Sequence, residues 1–252
     1  MSGHSKWATI KHQKGVTDAR RAQLFTKLAR EVTVAARMGG GSPDMNVHLR
    51  LIIQKARDSN MPQENIERAI KKGTGEGGLQ ERLEEVIYEG YGPGGTAVML
   101  RAFTPNRNRT ASEVRFAFSR SGAALGESGC VAWLFEPKGV VLVETEMERA
   151  EEMAMLAIDA GAEDFKIEDS TLELYSSPEA LEALRKAIER QEAKIISAEL
   201  SMVPKSTILL DANTAEQTLR LLDRLEELED VQRVYCNADF PDEVLERYRV
   251  EA

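Results

Sequence analysis

Cysteine and histidine are scarce in this chain, two and three respectively in 252 residues. Cys130 and Cys236 lie far apart, in no CxxC pair, within the apolar stretches CVAWLF and VQRVYC. They read as buried, reduced thiols rather than as a disulfide framework or a zinc site. His4, His12 and His48 have no ligand spacing to one another or to a cysteine, so no metal is expected. No run of eighteen apolar residues occurs, which argues against a membrane-spanning helix and a membrane partner. Residues 1–15 lack the apolar stretch of a signal peptide, and a cytoplasmic location is expected. GxSxG, HExxH and a cysteine with a plausible partner histidine are also missing. Carboxylates abound, but Glu151, Glu152, Glu226, Glu227 and Glu229 fall opposite apolar stripes and read as solvated surface. Two glycine clusters resemble phosphate loops only superficially. GTGEGG at 73–78 has no following Lys-Ser/Thr, and GYGPGG at 90–95 joins strand to strand with no helix N-terminus to hold a phosphate. They are expected to be a linker and a turn. No catalytic residue and no cofactor is expected, and the chain does not read as an enzyme.

What the chain does have is charge, unevenly placed. Its net charge is −9. Residues 1–74 carry 14 Lys+Arg against 6 Asp+Glu, a net +8, and the remainder carries 19 against 36, a net −17. A basic head on an acidic body provides one face for a polyanion and a body that discourages indiscriminate adhesion.

The periodicity predicts an α+β protein: an N-terminal three-helix domain and two ferredoxin-like α/β domains, one inserted in the other. Residues 1–16 form a polar, basic arm. Leu24, Leu28, Val32 and Ala35, widened by Phe25 and Ala36, mark a helix over 17–37 that ends at Gly39-Gly40-Gly41. Ser42-Pro43 reads as an N-cap and first helical residue ahead of Leu49, Ile52, Ile53 and Ala56. Pro62 opens a third helix with Ile66, Ala69 and Ile70 inward, closed at Gly73. Beyond the linker, strands are expected at 84–91 and 96–103. A helix follows whose capping box is Thr110 and Glu113, with Ala111, Val114 and Phe118 inward. Phe116 points off that apolar arc and is expected to meet another domain or a partner. A strand at 129–135 follows. Residues 139–202 then read β-α-β-β-α-β, the split βαβ order. Strand 206–210, helix 214–228 and strand 231–237 complete the interrupted domain. The expected division is 1–78 basic helical domain, 79–136 with 204–240 split α/β domain, 137–203 inserted domain, and 241–252 acidic tail.

The basic head supplies the candidate nucleic-acid-binding residues. Lys6, Lys11 and Lys14 lie in the arm beside His12 and Trp7, an indole that either docks onto the helical domain or stacks on a nucleobase. On a helical wheel Arg20, Lys27, Arg30 and Arg37 form a basic ridge beside the apolar seam, and Arg21 falls on the apolar side, where it snorkels or reaches a ligand. A second cluster, Asn106-Arg107-Asn108-Arg109, is either a polar loop with a cap or an anion site in which Arg107 and Arg109 flank a helix N-terminus. Partners are therefore DNA, or ribosomal or transfer RNA on the ribosome, and the acidic domains leave surface for a homo-oligomer or another protein. A small molecule in a cleft between the two α/β domains is a more remote alternative, since fold alone supplies no reaction.

SGHSKWATIKH, DARRAQLFTKLAREV, ARMGGGSPDMN, NMPQENIERAIKKGTG, YEGYGPGGTAVM, NRNRTASEVRFAFS and VAWLFEPKGVV together resemble the YebC family along most of the chain. That family includes PmpR-type regulators and a mitochondrial translational activator of cytochrome c oxidase. The resemblance implies a helical domain followed by two α/β domains, and a DNA-binding transcriptional regulator, or alternatively a ribosome-associated factor that relieves stalling at proline-rich sequences. Gln13, Ala22 and Gln23 depart from the family's habit of lysine or arginine at these places, which thins the basic ridge.

Overall fold

The computed structural model describes residues 18–76, 83–168 and 170–251, and the side chains of all of these except 18–20 and 251. The protein is α+β, with two four-stranded sheets among the described residues. It divides into two compact units, one of residues up to Phe135 and from Pro204 onward, the other Glu136–Val203.

Three helices open the first unit: α1 (Asp18–Gly39), α2 (Val47–Asp58) and α3 (Gln63–Thr74). Leu28, Val32, Ala35 and Ala36 of α1 meet Leu49, Ile52, Ile53 and Ala56 of α2 and Ile66 and Ala69 of α3 in one buried cluster. Burying an aliphatic side chain contributes about 1.5–3 kcal/mol, so this stripe holds the bundle together. Two helix ends differ from expectation. Ser42-Pro43 lies in a turn, with the Asn46 N–H donating to the Ser42 carbonyl, and Asn46 itself caps α2 by accepting from the Leu49 N–H at 3.0 Å. Asn46 wins because its amide also reaches back to the Ala35 and Gly40 carbonyls, each at 2.9 Å, and ties the end of α1 to the start of α2. The left-handed residue closing α3 is Gly75 (φ +86°), not Gly73. Gly73 is a close-approach glycine, since a Cβ there would lie 2.4 Å from the Thr33 carbonyl oxygen.

The first sheet follows: β1 (Glu84–Tyr91), β2 (Ala97–Thr104), then α4 (Arg107–Arg120) and β3 (Ala124–Leu125). The β1–β2 turn runs through Pro93-Gly94-Gly95, where Gly94 and Gly95 have φ of +68° and +76°, a conformation that favours glycine. The unit resumes with β8 (Ile208–Leu209), α7 (Ala212–Glu227), β9 (Val231–Cys236), β10 (Ala238–Asp239) and α8 (Asp242–Glu251); the second unit takes the labels between. The sheet order is β3-β1-β2-β9, antiparallel throughout. Alternate residues of β2 point to opposite faces. Val98, Leu100 and Ala102 pack with Val114 and Phe118 of α4 and Leu219, Leu222 and Leu225 of α7. On the other face Phe103 packs with Val34 of α1, and Arg101 pairs with Glu31. The sheet is thus covered by two helices on one side and by α1 on the other.

Three expected elements are corrected. Residues 129–134 are loop and a short 3-10 turn, because successive N–H groups there turn inward onto Glu89 instead of forming a ladder. The strand expected at 206–210 shrinks to Ile208–Leu209, which pairs in parallel with Ala238–Asp239 in a separate two-stranded ladder. The acidic tail is the helix α8. Asp242 and Glu243 sit in its first turn, where the helix dipole favours them, and Val244 and Leu245 are buried.

The second unit is built by β4 (Phe135–Glu144), α5 (Met147–Asp159), β5 (Ala162–Glu168), β6 (Thr171–Ser176), α6 (Leu181–Glu189) and β7 (Lys194–Pro204). Its strand order β5-β6-β4-β7 is the order a β-α-β-β-α-β chain takes in a ferredoxin-like sheet. Val141, Val143, Leu172 and Leu174 of the sheet and Ala154, Leu184 and Ile188 of the helices are buried.

Candidate nucleic-acid interface

The basic side of α1 is the place to start. Gln23, Lys27 and Arg30 follow one another at helical spacing, and all three reach the end of α7. The Gln23 Nε2 donates to the Glu227 carbonyl at 2.7 Å, the Lys27 Nζ to the Glu226 carbonyl at 2.5 Å, and the Arg30 Nη1 to the Glu229 carbonyl at 2.7 Å. A helix C-terminus presents carbonyls with no intrahelical partner and the negative end of the dipole. Three side chains of α1 satisfy it. Arg30 adds ion pairs to Glu229 at 2.5 Å and Asp230 at 2.9 Å. Lys27 and Arg30, placed by the helical wheel on a phosphate-binding ridge, therefore spend donors on protein oxygens. The carbonyls of Glu226, Glu227 and Glu229 belong to this joint, while Glu227 and Glu229 are exposed as expected and Glu226 is half-buried. Arg37 is exposed and donates to the Leu83 carbonyl at 2.6 Å.

Burial pushes the Lys27 amine down to about 8, and the neighbouring Arg233 and Arg30 work in the same direction against Glu31. The unfolded chain then binds more protons than the folded one between about pH 8 and the ordinary lysine value near 10.4, so stability rises with pH across that window. The expected result is a Lys27 titration midpoint near 8, read by NMR of its side-chain carbons. A stability gain from pH 8 to 10 should also appear that Lys27→Met lacks. A midpoint above 10 would contradict the buried placement.

Asp230 is the hub behind this joint. Its side chain has no exposed surface. One carboxylate oxygen accepts from Arg30; the other accepts from Thr110 Oγ1 at 2.6 Å, Arg109 Nη2 at 2.6 Å and Thr104 Oγ1 at 3.0 Å. Burial alone would raise this carboxyl, but the hydrogen bonds from Thr110, Arg109 and Thr104 and the charge of Arg30 outweigh it and hold it below the usual carboxylate range. The Asn106-Arg107-Asn108-Arg109 cluster supplies a helix cap and one of the partners of Asp230. Asn106 is the N-cap of α4, accepting from the Arg109 N–H at 3.2 Å. Arg109 is committed to Asp230, and Thr110 is a buried donor rather than the cap. Arg107 remains exposed.

Glu89 is a second saturated carboxylate, which sequence reasoning missed. Its oxygens accept from the backbone N–H groups of Gly129, Val131 and Ala132 at 2.7–2.9 Å. The only signal was an acid in the middle of an apolar strand. Cys130 sits half-buried in the loop this carboxylate organises, against the expectation of a fully buried thiol. Cys236 is fully buried, and burial pushes its thiol up to about 12. Among the described residues no group of three or more His, Cys, Asp or Glu is arranged to hold a metal ion, and no helix is long and apolar enough to cross a membrane.

Exposed cations of the helical head and of α4 include Arg57 on α2, Arg68, Lys71 and Lys72 on α3, Arg21 near the start of α1, and Arg107, Arg115 and Arg120 on α4. Arg68, Lys71 and Lys72 lie opposite the buried Ile66, Ala69 and Gly73 on the wheel of α3. Arg20 belongs to the first turn of α1. Lys6, Trp7, Lys11, His12 and Lys14 lie outside the described residues.

Two family models cover most of the chain. The TACO1/YebC N-terminal domain matches residues 5–76, and the TACO1/YebC second and third domain matches residues 83–238. A relative in Dehalococcoides mccartyi, named "Probable transcriptional regulatory protein", is 55% identical over the full length of both chains. A relative of the same name in Moorella thermoacetica is 53% identical over 98% of this chain and 99% of its own. The crystal structure of a conserved hypothetical protein, Aq1575, from Aquifex aeolicus is similar at 48% identity with a TM-score of 0.86, covering 95% of this chain and 98% of that one. With its helical head and both α/β regions matched, this chain belongs to the TACO1/YebC family.

Proposed function

We propose that this protein is a nucleic-acid-binding regulator of gene expression, acting on DNA as a transcriptional regulator, and that it performs no covalent step. The observation that carries the reading is the separation of charge: a net +8 over residues 1–74 against −17 over the rest. Positive charge confined to one small domain concentrates a polyanion there and leaves the body repelling it. The relatives' names point the same way. Within the head, the phosphate contacts fall to the arm residues Lys6, Lys11 and Lys14, with Trp7 and His12 beside them, and to the exposed cations of the three helices. Two of the buried acids are occupied by donors: Asp230 by two arginines and two threonines, Glu89 by three backbone N–H groups.

A second reading, a ribosome-associated translation factor, is favoured by where the cations sit. Arg37, Arg57, Lys71 and Lys72 occupy the last turns of their helices. There they complement helix dipoles and suit phosphate contacts that read no base edge, which a ribosome-bound factor can use and a sequence-specific regulator cannot rely on. Crosslinking in cells followed by sequencing of the bound nucleic acid decides between the two. Enrichment of promoter DNA is expected under the first reading. Recovery of ribosomal or transfer RNA in its place would overturn the first reading for the second.

A further inference from the structure

Helix α4 stands apart electrostatically from the body it belongs to. It carries Arg107, Arg109, Arg115 and Arg120 against the single acid Glu113, while α5, α7 and α8 are net acidic and α6 is balanced. Its inner face is Thr110, Val114, Ala117 and Phe118, all buried. On a 100° wheel the opposite arc holds Asn108, Ser112, Arg115, Phe116 and Ser119, with Arg120 at its edge, and all of these are exposed. Phe116 is 62% exposed in the middle of that arc, and the Arg120 guanidinium lies 5.7 Å from its ring centroid. The Ser112 and Ser119 hydroxyls donate to the Asn108 and Arg115 carbonyls one turn back, at 3.0 and 2.7 Å, so their oxygens remain acceptors toward solvent.

A lone exposed phenylalanine is ordinary, and so is a solvated arginine. Their combination on one arc is not what a solvent face of a net acidic body requires. A ring with one guanidinium against it and a second arginine on the same arc, with small polar residues leaving the helix surface low, has the parts of a stacking platform: an aromatic face for a base and cations for the phosphates beside it. A duplex keeps its bases stacked on each other, so the ring selects for unpaired ones. From this juxtaposition we infer that the outer face of α4 is a second nucleic-acid contact, taking a single-stranded segment with one base on Phe116 and phosphates at Arg115 and Arg120. This rests on the nucleic-acid reading above and extends it from the basic head to the acidic body, with charge complementarity confined to one helix.

The test is equilibrium binding of the full chain to a short fluorescent oligouridylate and, separately, to a DNA duplex of the same length. Phe116→Leu keeps a helix-compatible apolar side chain and removes the ring. It should weaken oligouridylate binding about tenfold, the order expected for losing one stacked base, and leave duplex binding unchanged. Arg115→Gln with Arg120→Gln should lower the salt dependence for the single strand by about 1.4 in log–log slope. Both changes are at exposed positions, and thermal unfolding confirms that the fold is kept. Oligouridylate affinity and salt slope equal to those of the parent in both variants would overturn the inference while leaving the head's role intact. A co-purifying protein lost on Phe116→Leu, with oligouridylate binding unaltered, would overturn it in favour of a protein partner. If the parent chain bound neither probe, the nucleic-acid reading itself would fall.

Discussion

Asp230→Ala is expected to destabilise the protein by about 1–3 kcal/mol, the cost of leaving buried donors without their acceptor, with Arg30 still held by its ion pair to Glu229. Arg30, 16% exposed, loses one of its two ion pairs and keeps Glu229, while Arg109, at 45%, recovers part of its loss from water. Thr104 and Thr110, both fully buried, lose an acceptor as well. Because Arg30 comes from α1 and the other partners from β2 and α4, the substitution also loosens the helical head from the first sheet. Urea unfolding gives the magnitude. A double-mutant cycle with Arg30→Met should return a coupling of about 1 kcal/mol or more, as groups in one network do. The pH dependence follows from the depressed carboxyl. Its stabilisation is fully present above the ordinary aspartate value near 3.9 and is lost as pH falls through the lower folded-state value. The difference between the parent and Asp230→Asn should therefore be constant from pH 7 to 5 and narrow only below about 4. Constancy to pH 2, or a difference under 1 kcal/mol at pH 7, would contradict the hub.

Neutralising the arm, Lys6→Gln with Lys11→Gln and Lys14→Gln, is expected to cost on the order of a hundredfold in duplex affinity at moderate salt. It should also lower the log–log salt slope by about 2.7, close to 0.9 for each phosphate no longer neutralised. Lys27→Gln and Arg30→Gln should behave differently. Their donors hold the Glu226 and Glu229 carbonyls, so they should lower stability and leave the salt slope of the parent. Measuring unfolding and binding on the same variants separates cations that hold the head in place from cations that hold a ligand. An arm variant that binds as the parent does would shift the interface to the exposed cations of α2 and α3.

The core was legible because apolar period is a local property. The stripes Leu28-Val32-Ala35, Ile52-Ile53-Ala56 and Leu219-Leu222-Leu225 each bury on one side of one helix, and the α+β class follows from them and from the alternation in the strands. What a polar residue meets was not legible. Lys27 and a phosphate-binding lysine look alike on a wheel; only the position of α7, set by packing nearly two hundred residues later, makes carbonyls its partners. Asp230 is one acid among several in ELEDVQ, and its burial depends on β9 entering the sheet beside β2. Boundaries failed where a side chain offered the backbone an alternative. Asn46 displaced Ser42 as the cap by reaching two carbonyls of α1 and its end. Glu89 drew residues 129–132 out of a strand. The helix α8 was missed because its acidic composition masked the short stripe of Val244, Leu245 and Tyr248.

The proposed grip of the N-terminal domain on nucleic-acid phosphates is electrostatic. Its most direct test is the salt dependence of equilibrium binding of the full chain to duplex DNA and to ribosomal RNA fragments. Steep loss of affinity between low and moderate salt is expected, with a log–log slope of several units that falls when Lys6, Lys11 and Lys14 are neutralised. Absent binding, or binding indifferent to salt, would contradict it.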